Sequence, residues 1–373
     1  MFRSALAFMK KETVLSAAAA LALLSMFLVP PDAQYAGYID FDTLALLFSL
    51  MAVMKGYQRS GLFDRLGGRL LAHVRSTRGL LLALVSLPFI SSMVITNDVA
   101  LITFVPFALI VLRLSGQERL LIPVVVMQTL AANLGSMLTP IGNPQNLYLY
   151  SRSGISFGGL CALMAPYVLL SGVCLAAVIL VRRPAAVAVA GPGAASPARP
   201  PRADRTPLYC TALFALCLLA LFDVLPPLAV AAVALAFLLL CDRPLLRAVD
   251  YSLLGTFVAF FIFIGNLGRM DAFRGALSAF ISGREELAAV LASQLISNVP
   301  AALLLAGFTQ DWADLIVGCN LGGLGTLIAS MASLISYRQV AGAYPEQRGR
   351  YFLCFTAANI ALLALLLPIA ALL

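Results

Sequence analysis

Residues 132–150 read "ANLGSMLTPIGNPQNLYLY", a polar stretch with Gly and Pro set between two apolar segments. Gly and Pro interrupt helices, and Asn133, Ser136, Thr139, Asn143, Gln145 and Asn146 each need hydrogen-bond partners. In hydrocarbon an unpaired polar group has no water to turn to. Broken helix at membrane depth is tolerated where protein buries it or where it lines a cavity. The stretch is therefore a surface loop or a binding site, and the rest of the chain decides which.

The chain has 373 residues, of which 61% are hydrophobic and 11% charged, with a mean hydropathy of +0.96. That composition belongs to a polytopic membrane protein. The net charge of +8 would suggest nucleic acid in a soluble chain. Here the basic residues sit in short loops, where they report membrane topology. The seven Cys lie scattered in apolar segments without a CxxC pair, and there is one His, so neither a zinc site nor a disulfide framework is expected. The first 30 residues have the basic start and apolar core of a secretory signal, but no small-residue cleavage site follows; they are read as an uncleaved helix.

Apolar segments fall near 12–29, 41–57, 79–95, 98–113, 120–135, 157–181, 207–222, 226–241, 251–267, 286–297, 299–309, 312–336 and 351–373. Several are shorter than the ~20 residues a full span needs. The pairs 79–95/98–113 and 286–297/299–309 flank the polar tips "ITNDV" and "ISNVP" and read as re-entrant hairpins. Residues 182–206, "RRPAAVAVAGPGAASPARPPRADRT", read as a cytoplasmic linker between two halves. The halves match: 41–63 with 249–273, 92–98 with 293–299, and "NLGSMLTPIGNPQN" (133–146) with "NLGGLGTLIASMAS" (320–333). Shared apolar composition produces one such match by chance, but not three in the same order.

With the N-terminus inside, all 25 Lys and Arg except Arg152, Arg269, Arg274 and Arg284 fall on the cytoplasmic side, as the positive-inside rule requires. This puts the C-terminus outside and the halves in opposite orientations, the inverted-repeat pattern of secondary transporters. Residues 62–77 form an amphipathic stretch with leucines on one stripe and Arg65, Arg69 and His73 on another, as expected of an interfacial helix; 272–283 mirror it outside. The expected fold is an all-α polytopic membrane protein of two inverted repeats, each with a re-entrant helical hairpin and a broken transmembrane helix. The first repeat is 1–181, the second 207–373.

Chemistry concentrates at the tips and breaks. Ser92 and Thr96 are four apart and are expected on one helical face, with Asn97 at the turn; Ser293, Ser297 and Asn298 repeat the pattern. Hydroxyls, amide oxygens and freed carbonyls are hard ligands for Na⁺, while helix N-termini offer N–H groups to an anion. Ser and Thr also commonly bond back to their own helix. Gly135 and Gly142 permit close backbone approach, and Thr139, Asn143 and Asn146 are placed to hold an oxyanion; Gly322, Thr326 and Ser330 are their counterparts. Close helix packing through Gly is the alternative role. Asp98 is the single carboxylate expected near the midplane. It can bind a cation, carry a proton or cap the second hairpin arm, and its repeat partner is Val299.

These motifs resemble the ion transporter superfamily, which includes sodium/divalent-anion symporters, citrate transporters, arsenite efflux permeases and sodium/proton antiporters. The resemblance covers about 12–372 and rests on "IDFDTLALLF…SGLF", the hairpin tips and the 132–150 stretch. In the sodium/dicarboxylate branch each tip carries Ser-Asn-Thr, contacting sodium and substrate. Here the tips read Thr96-Asn97-Asp98 and Ser297-Asn298-Val299, with the third position changed in both. The resemblance implies an elevator mechanism in a homodimer. Residues of about 1–78 and 207–284 would form the scaffold, and about 79–181 and 285–373 the moving part.

The expected function is transport of a small anion (dicarboxylate, citrate or inorganic oxyanion) coupled to Na⁺ or H⁺, with no other cofactor, no nucleic-acid partner and no enzymatic step. Asn97, Asp98, Thr139, Asn143, Asn146, Asn298 and Thr326 are the expected substrate ligands. Ser92, Thr96, Asn97, Gly135, Ser293, Ser297, Asn298 and Gly322 are the expected ion ligands. The alternative is a Na⁺/H⁺ exchanger or arsenite-type efflux permease using Asp98. An intramembrane aspartic protease would need a second carboxylate beside Asp98. The expected location is a bacterial inner or plasma membrane.

Overall fold

The computed structural model describes residues 12–62, 65, 69, 74–186 and 206–370. The described residues form helices with no strand beyond an isolated bridge between Ser76 and Ala186. In chain order they are α1 (Thr13–Leu28), α2 (Tyr35–Tyr38), α3 (Phe41–Arg59), α4 (Thr77–Ser91), α5 (Asn97–Leu114), α6 (Leu121–Ser136), α7 (Pro144–Ser153), α8 (Phe157–Leu180) and α9 (Thr206–Leu221). There follow α10 (Pro227–Cys241), α11 (Arg243–Arg247), α12 (Tyr251–Gly268), α13 (Asp271–Ile281), α14 (Glu285–Ile296), α15 (Asn298–Ala306), α16 (Trp312–Leu321), α17 (Met331–Ala343) and α18 (Arg348–Ala370). Among the described residues five helical stretches are long and apolar enough to cross a membrane. Exposed Leu, Val, Ile and Phe cover the outer faces of α1, α8, α10 and α18, which is where lipid replaces water as solvent. The all-α polytopic membrane fold expected from composition is the observed one. Most of the arm at 62–77, including His73, and most of the linker lie outside the described residues.

Helix ends follow local chemistry. Asp40 caps α3 by accepting from Thr43 N at 2.9 Å, and Asp250 caps α12 by accepting from Leu253 N at 3.0 Å, so the cap equivalent to Asp250 is Asp40 and not Asp42, which the sequence match pairs with it. Ser76, Ser156 and Asn143 cap α4, α8 and α7 in the same way.

Two reciprocal helix pairs build one side of the molecule. Helix α1 packs on α12, and α10 packs on α3. An ion pair closes each. Arg59, at the end of α3, binds Asp242 at the end of α10, with Tyr209 donating to the same carboxylate. Arg269, just past α12, binds Asp32 at 2.8 Å beyond the end of α1 and donates to Tyr38 Oη at 3.0 Å. Arg59 and Arg269 are aligned positions of the two halves, and they work at opposite faces. Gly265, near the end of α12, fixes that relation: a Cβ there would lie 2.3 Å from the Tyr38 ring, so α3 begins where α12 ends. At the other face, a Cβ on Gly255 would meet Leu15 at 3.2 Å, so α1 and α12 start together. That start is called the near face below.

The hairpins α4/α5 and α14/α15 pack on the broken helices α6/α7 and α16/α17. At 1.5 Å per residue, α14 and α15 are roughly 18 and 14 Å long, too short for a hydrocarbon core of about 30 Å. The hairpin reading of that pair therefore holds. Phe104, Leu101, Leu84 and Leu121 sit at the centre of the core that joins the first hairpin to α6.

Candidate functional site

The two broken helices fasten each other. Asn133, near the end of α6, donates through Nδ2 to Ser333 Oγ at 3.2 Å, at the start of α17. Asn320, near the end of α16, donates through Nδ2 to Asn146 Oδ1 at 2.6 Å, at the start of α7. The repeat alignment equates Asn133 with Asn320 and Asn146 with Ser333, so this is one bond made twice. Asn133 Oδ1 also accepts from Asn97 Nδ2 at 3.1 Å and from Ser330 Oγ at 3.2 Å, joining the first hairpin and the second break. Asn143 Nδ2 reaches Ser136 Oγ at 3.2 Å and Asn320 Oδ1 at 3.5 Å. All of these side chains are buried. A buried polar network of this kind is stable only when its members are satisfied together.

Each hairpin meets its break at a glycine. A Cβ on Gly135 would lie 2.0 Å from the Phe89 carbonyl oxygen and 2.6 Å from Ser92 Oγ; on Gly322 it would lie 2.5 Å from Ser293 Oγ. Gly135 with Ser92 and Gly322 with Ser293 are aligned pairs, so their contact is packing of matched close approaches. Both serines bond back to their own helices, Ser92 to Phe89 O at 3.0 Å and Ser293 to Ala289 O at 2.7 Å.

The tips differ from the expected geometry. Residues 92–96 are not helical: α4 ends at Ser91 and α5 starts at Asn97, so Ser92 and Thr96 do not share a helical face. The chain turns after Ser91, and where α5 begins Asn97 Oδ1 accepts from Asp98 N at 2.9 Å. Thr96 takes the N-cap position without a side-chain cap bond, and Asp98 makes no capping bond either. In the second tip a single residue, Ser297, separates the arms, with φ +75° and ψ 152°. That conformation belongs to glycine and costs an L-residue on the order of 1–3 kcal/mol. It is held by Asn298 N donating to Ala329 O at 2.9 Å and by Ser297 Oγ to the same oxygen at 3.4 Å. The Asn298 side chain makes no hydrogen bond with a described residue and lies over Gly323.

Several carbonyls at the breaks are already occupied. Asn146 Nδ2 donates to Met137 O at 3.2 Å, Thr139 O at 3.4 Å and Ser136 O at 3.5 Å. Gln294 Nε2 donates to Gly322 O and Leu324 O, each at 2.9 Å. Thr139 donates to Met93 O, and Thr326, exposed, donates through its backbone N to Gln294 Oε1 at 2.9 Å and through Oγ1 to Gln294 O at 3.3 Å. An amide NH₂ group thus stands at each break where a cation would coordinate.

A cavity of about 340 Å³ lies between α1, α3 and α12 on one side and α5, α7 and α17 on the other. Of the expected residues it is lined by Thr96, Asp98 and Asn143. Asn97, Asn146, Thr139, Gly135, Ser92 and the second-half set Ser293, Ser297, Asn298, Gly322 and Thr326 are not among its lining residues. The N-terminal turns of α5, α7 and α17 all reach it, at Thr96 and Asp98, Asn143 and Pro144, and Met331 and Leu334. Their dipoles bring three positive helix ends to one space. Lys55, Arg338, Asp250 and Glu12 bring charge toward its near-face end. Among the described residues no hydrogen-bond donor meets the Asp98 carboxylate. Sequence reasoning treated Lys55 and Arg338 as loop charges. The signal for Lys55 was its place inside the apolar run 41–57; Arg338 had none.

The family profile described as "Citrate transporter" matches residues 5–332. The chain belongs to the citrate transporter family. Among relatives of this family member, the inner membrane protein YbiR of Escherichia coli is 35% identical over 324 residues, 84% of this chain and 84% of the relative. An uncharacterized transporter of Methanocaldococcus jannaschii is 29% identical over 308 residues, 80% of this chain and 81% of the relative. A silicon efflux transporter of Oryza sativa is 33% identical over 139 residues, 37% of this chain and 28% of that protein. This citrate transporter family member is a multi-pass membrane transporter, and not an enzyme.

Proposed function

We propose that this protein is a secondary transporter of a small anion, driven by H⁺ through Asp98, with the substrate held in the cavity between the two helix groups. The observation that carries the reading is the convergence of the α5, α7 and α17 N-termini on that cavity, with Lys55 and Arg338 beside it. Helix N-termini and fixed cations favour an oxyanion. A proton is favoured over Na⁺ as the coupling ion because the break carbonyls are bonded to the Asn146 and Gln294 amides, while the Asp98 carboxylate faces the cavity without a donor. Protonation of Asp98 would remove its repulsion of an arriving anion.

The cavity also lies on the boundary at which an elevator would slide. In that mechanism about 1–78 with 207–284 form the scaffold of a homodimer, and about 79–181 with 285–373 carry the site. With the N-terminus cytoplasmic, the charge-lined end of the cavity faces inward. A second reading rests on Asp98 itself: a lone carboxylate in the cavity also suits cation/proton exchange or arsenite-type efflux.

Purified protein in liposomes on a solid-supported membrane separates these readings. Steps of pH or Na⁺ would be applied alone and then with citrate, succinate, sulfate, phosphate and arsenite. A sustained current that needs both a pH step and one anion supports the proposal. A current that needs Na⁺ and one anion moves the coupling ion. A current from Na⁺ and pH steps alone, indifferent to the panel, replaces anion transport with exchange.

A further inference from the structure

We propose that the face opposite the cavity mouth carries a divalent-cation site, built by Glu285 at the start of α14 and by Asp311 and Asp314 at the start of α16. One carboxylate oxygen from each lies within 4.8 Å of the others. Oxygen ligands sit 2.3–2.6 Å from Ca²⁺, so two ligands on opposite sides of one ion stand about 4.8 Å apart. The triangle is of a size that a single ion spans.

Acidic residues at helix N-termini are common, because the helix dipole favours them. That accounts for Asp311, which caps α16 by accepting from Asp314 N at 3.3 Å, and for Asp314, which is exposed. Glu285 also opens a helix, α14, but the dipole does not account for its burial. This residue is only 6% exposed. Its Oε1 accepts from Thr309 Oγ1 at 3.1 Å, but its Oε2 is buried and has no hydrogen-bond partner. The neighbouring Glu286 buries an Oε1 that also has none. Among the described residues no Lys or Arg forms an ion pair with any of these four carboxylates. A buried carboxylate with one oxygen left without a donor and no counter-charge is costly, and a bound cation supplies the missing charge.

The backbone forces the groups together. A Cβ on Gly318 would lie 2.5 Å from the Glu286 carbonyl oxygen, so only glycine lets the first turn of α14 press against α16. Hard carboxylate oxygens without a His or Cys suit Ca²⁺ or Mg²⁺ over a softer metal. The site would tie the base of the second hairpin to the second broken helix, apart from the transport cavity.

The protein carries its own reporter. Its one tryptophan, Trp312, stands next to Asp311. Tb³⁺ added to the purified full-length protein should therefore give indole-sensitised emission that excess Ca²⁺ removes. Ca²⁺ should also raise the thermal midpoint of the wild type. Glu285→Gln and Asp314→Asn should each weaken Tb³⁺ binding by tenfold or more and abolish the Ca²⁺-dependent shift. Asp314 is exposed, so Asp314→Asn decides the matter if Glu285→Gln does not fold. Absent emission from folded wild type, emission that neither Ca²⁺ nor Mg²⁺ displaces, or unchanged affinity in Asp314→Asn would each overturn the site. None of these readouts depends on the transport reading.

Discussion

At the scale of single residues, the matched glycines and the lone acid give the sharpest expectations. Gly135→Ala puts a methyl group 2.0 Å from a backbone oxygen that belongs to another helix, so one of the two must shift. A cost of roughly 1–3 kcal/mol or more follows from overpacking, read as a lower melting midpoint in detergent. Gly322→Ala should do the same in the second half. Gly275→Ala, with nothing within 4 Å of its Cβ, should be neutral or stabilising by about 0.5–1 kcal/mol, because glycine is costly in a helix. Asp98→Asn should keep the fold, since no described bond depends on its carboxylate, and flatten the pH profile of uptake in proteoliposomes. An unchanged profile would remove Asp98 from coupling. The glycines were legible because their pattern recurs at a fixed offset. Lys55, Arg338 and Gln294 were not, because their roles arise from what lies across the space in front of them.

Among elements, the hairpins and breaks were readable from segment length and from the Gly, Pro and Asn clusters, since chain shorter than the bilayer must turn back or be broken. The shape of the tips was not. Sequence spacing treats 92–96 as helix; the chain instead turns after Ser91 and resumes at Asn97, and one strained serine suffices at the second tip. The clamp between α3 and α10 is also a tertiary fact. The hydrogen bond from Arg59, joined by those of Tyr209 and the Leu245 amide, holds the Asp242 carboxyl down at about 2 despite its burial. A depressed carboxyl contributes stability above its ordinary range near 3.8 and loses it as pH falls toward 2. Thermal melts of wild type should therefore fall off across that interval. Arg59→Ala should be less stable at neutral pH and show a weaker fall there. Parallel curves for the two proteins would dissociate the clamp from stability.

For the whole molecule, the inverted arrangement was visible in three ordered matches and in charge placement, and the structure adds its physical closure. The bonds from Asn133 to Ser333 and from Asn320 to Asn146 run only between halves. Each half thus supplies one partner to the other's interruption, while the amides of Asn146 and Gln294 occupy carbonyls of their own breaks. Fragments 1–186 and 206–373, produced separately, should each be degraded or aggregate. Produced together, they should copurify as a heat-stable pair, and loss of Asn320 alone should break the pair. The consequence reaches into the history of the chain. A half-length ancestor with these interruptions would have had to find those two contacts in an upside-down copy of itself, a dual-topology partnership that joining the halves in one polypeptide makes permanent.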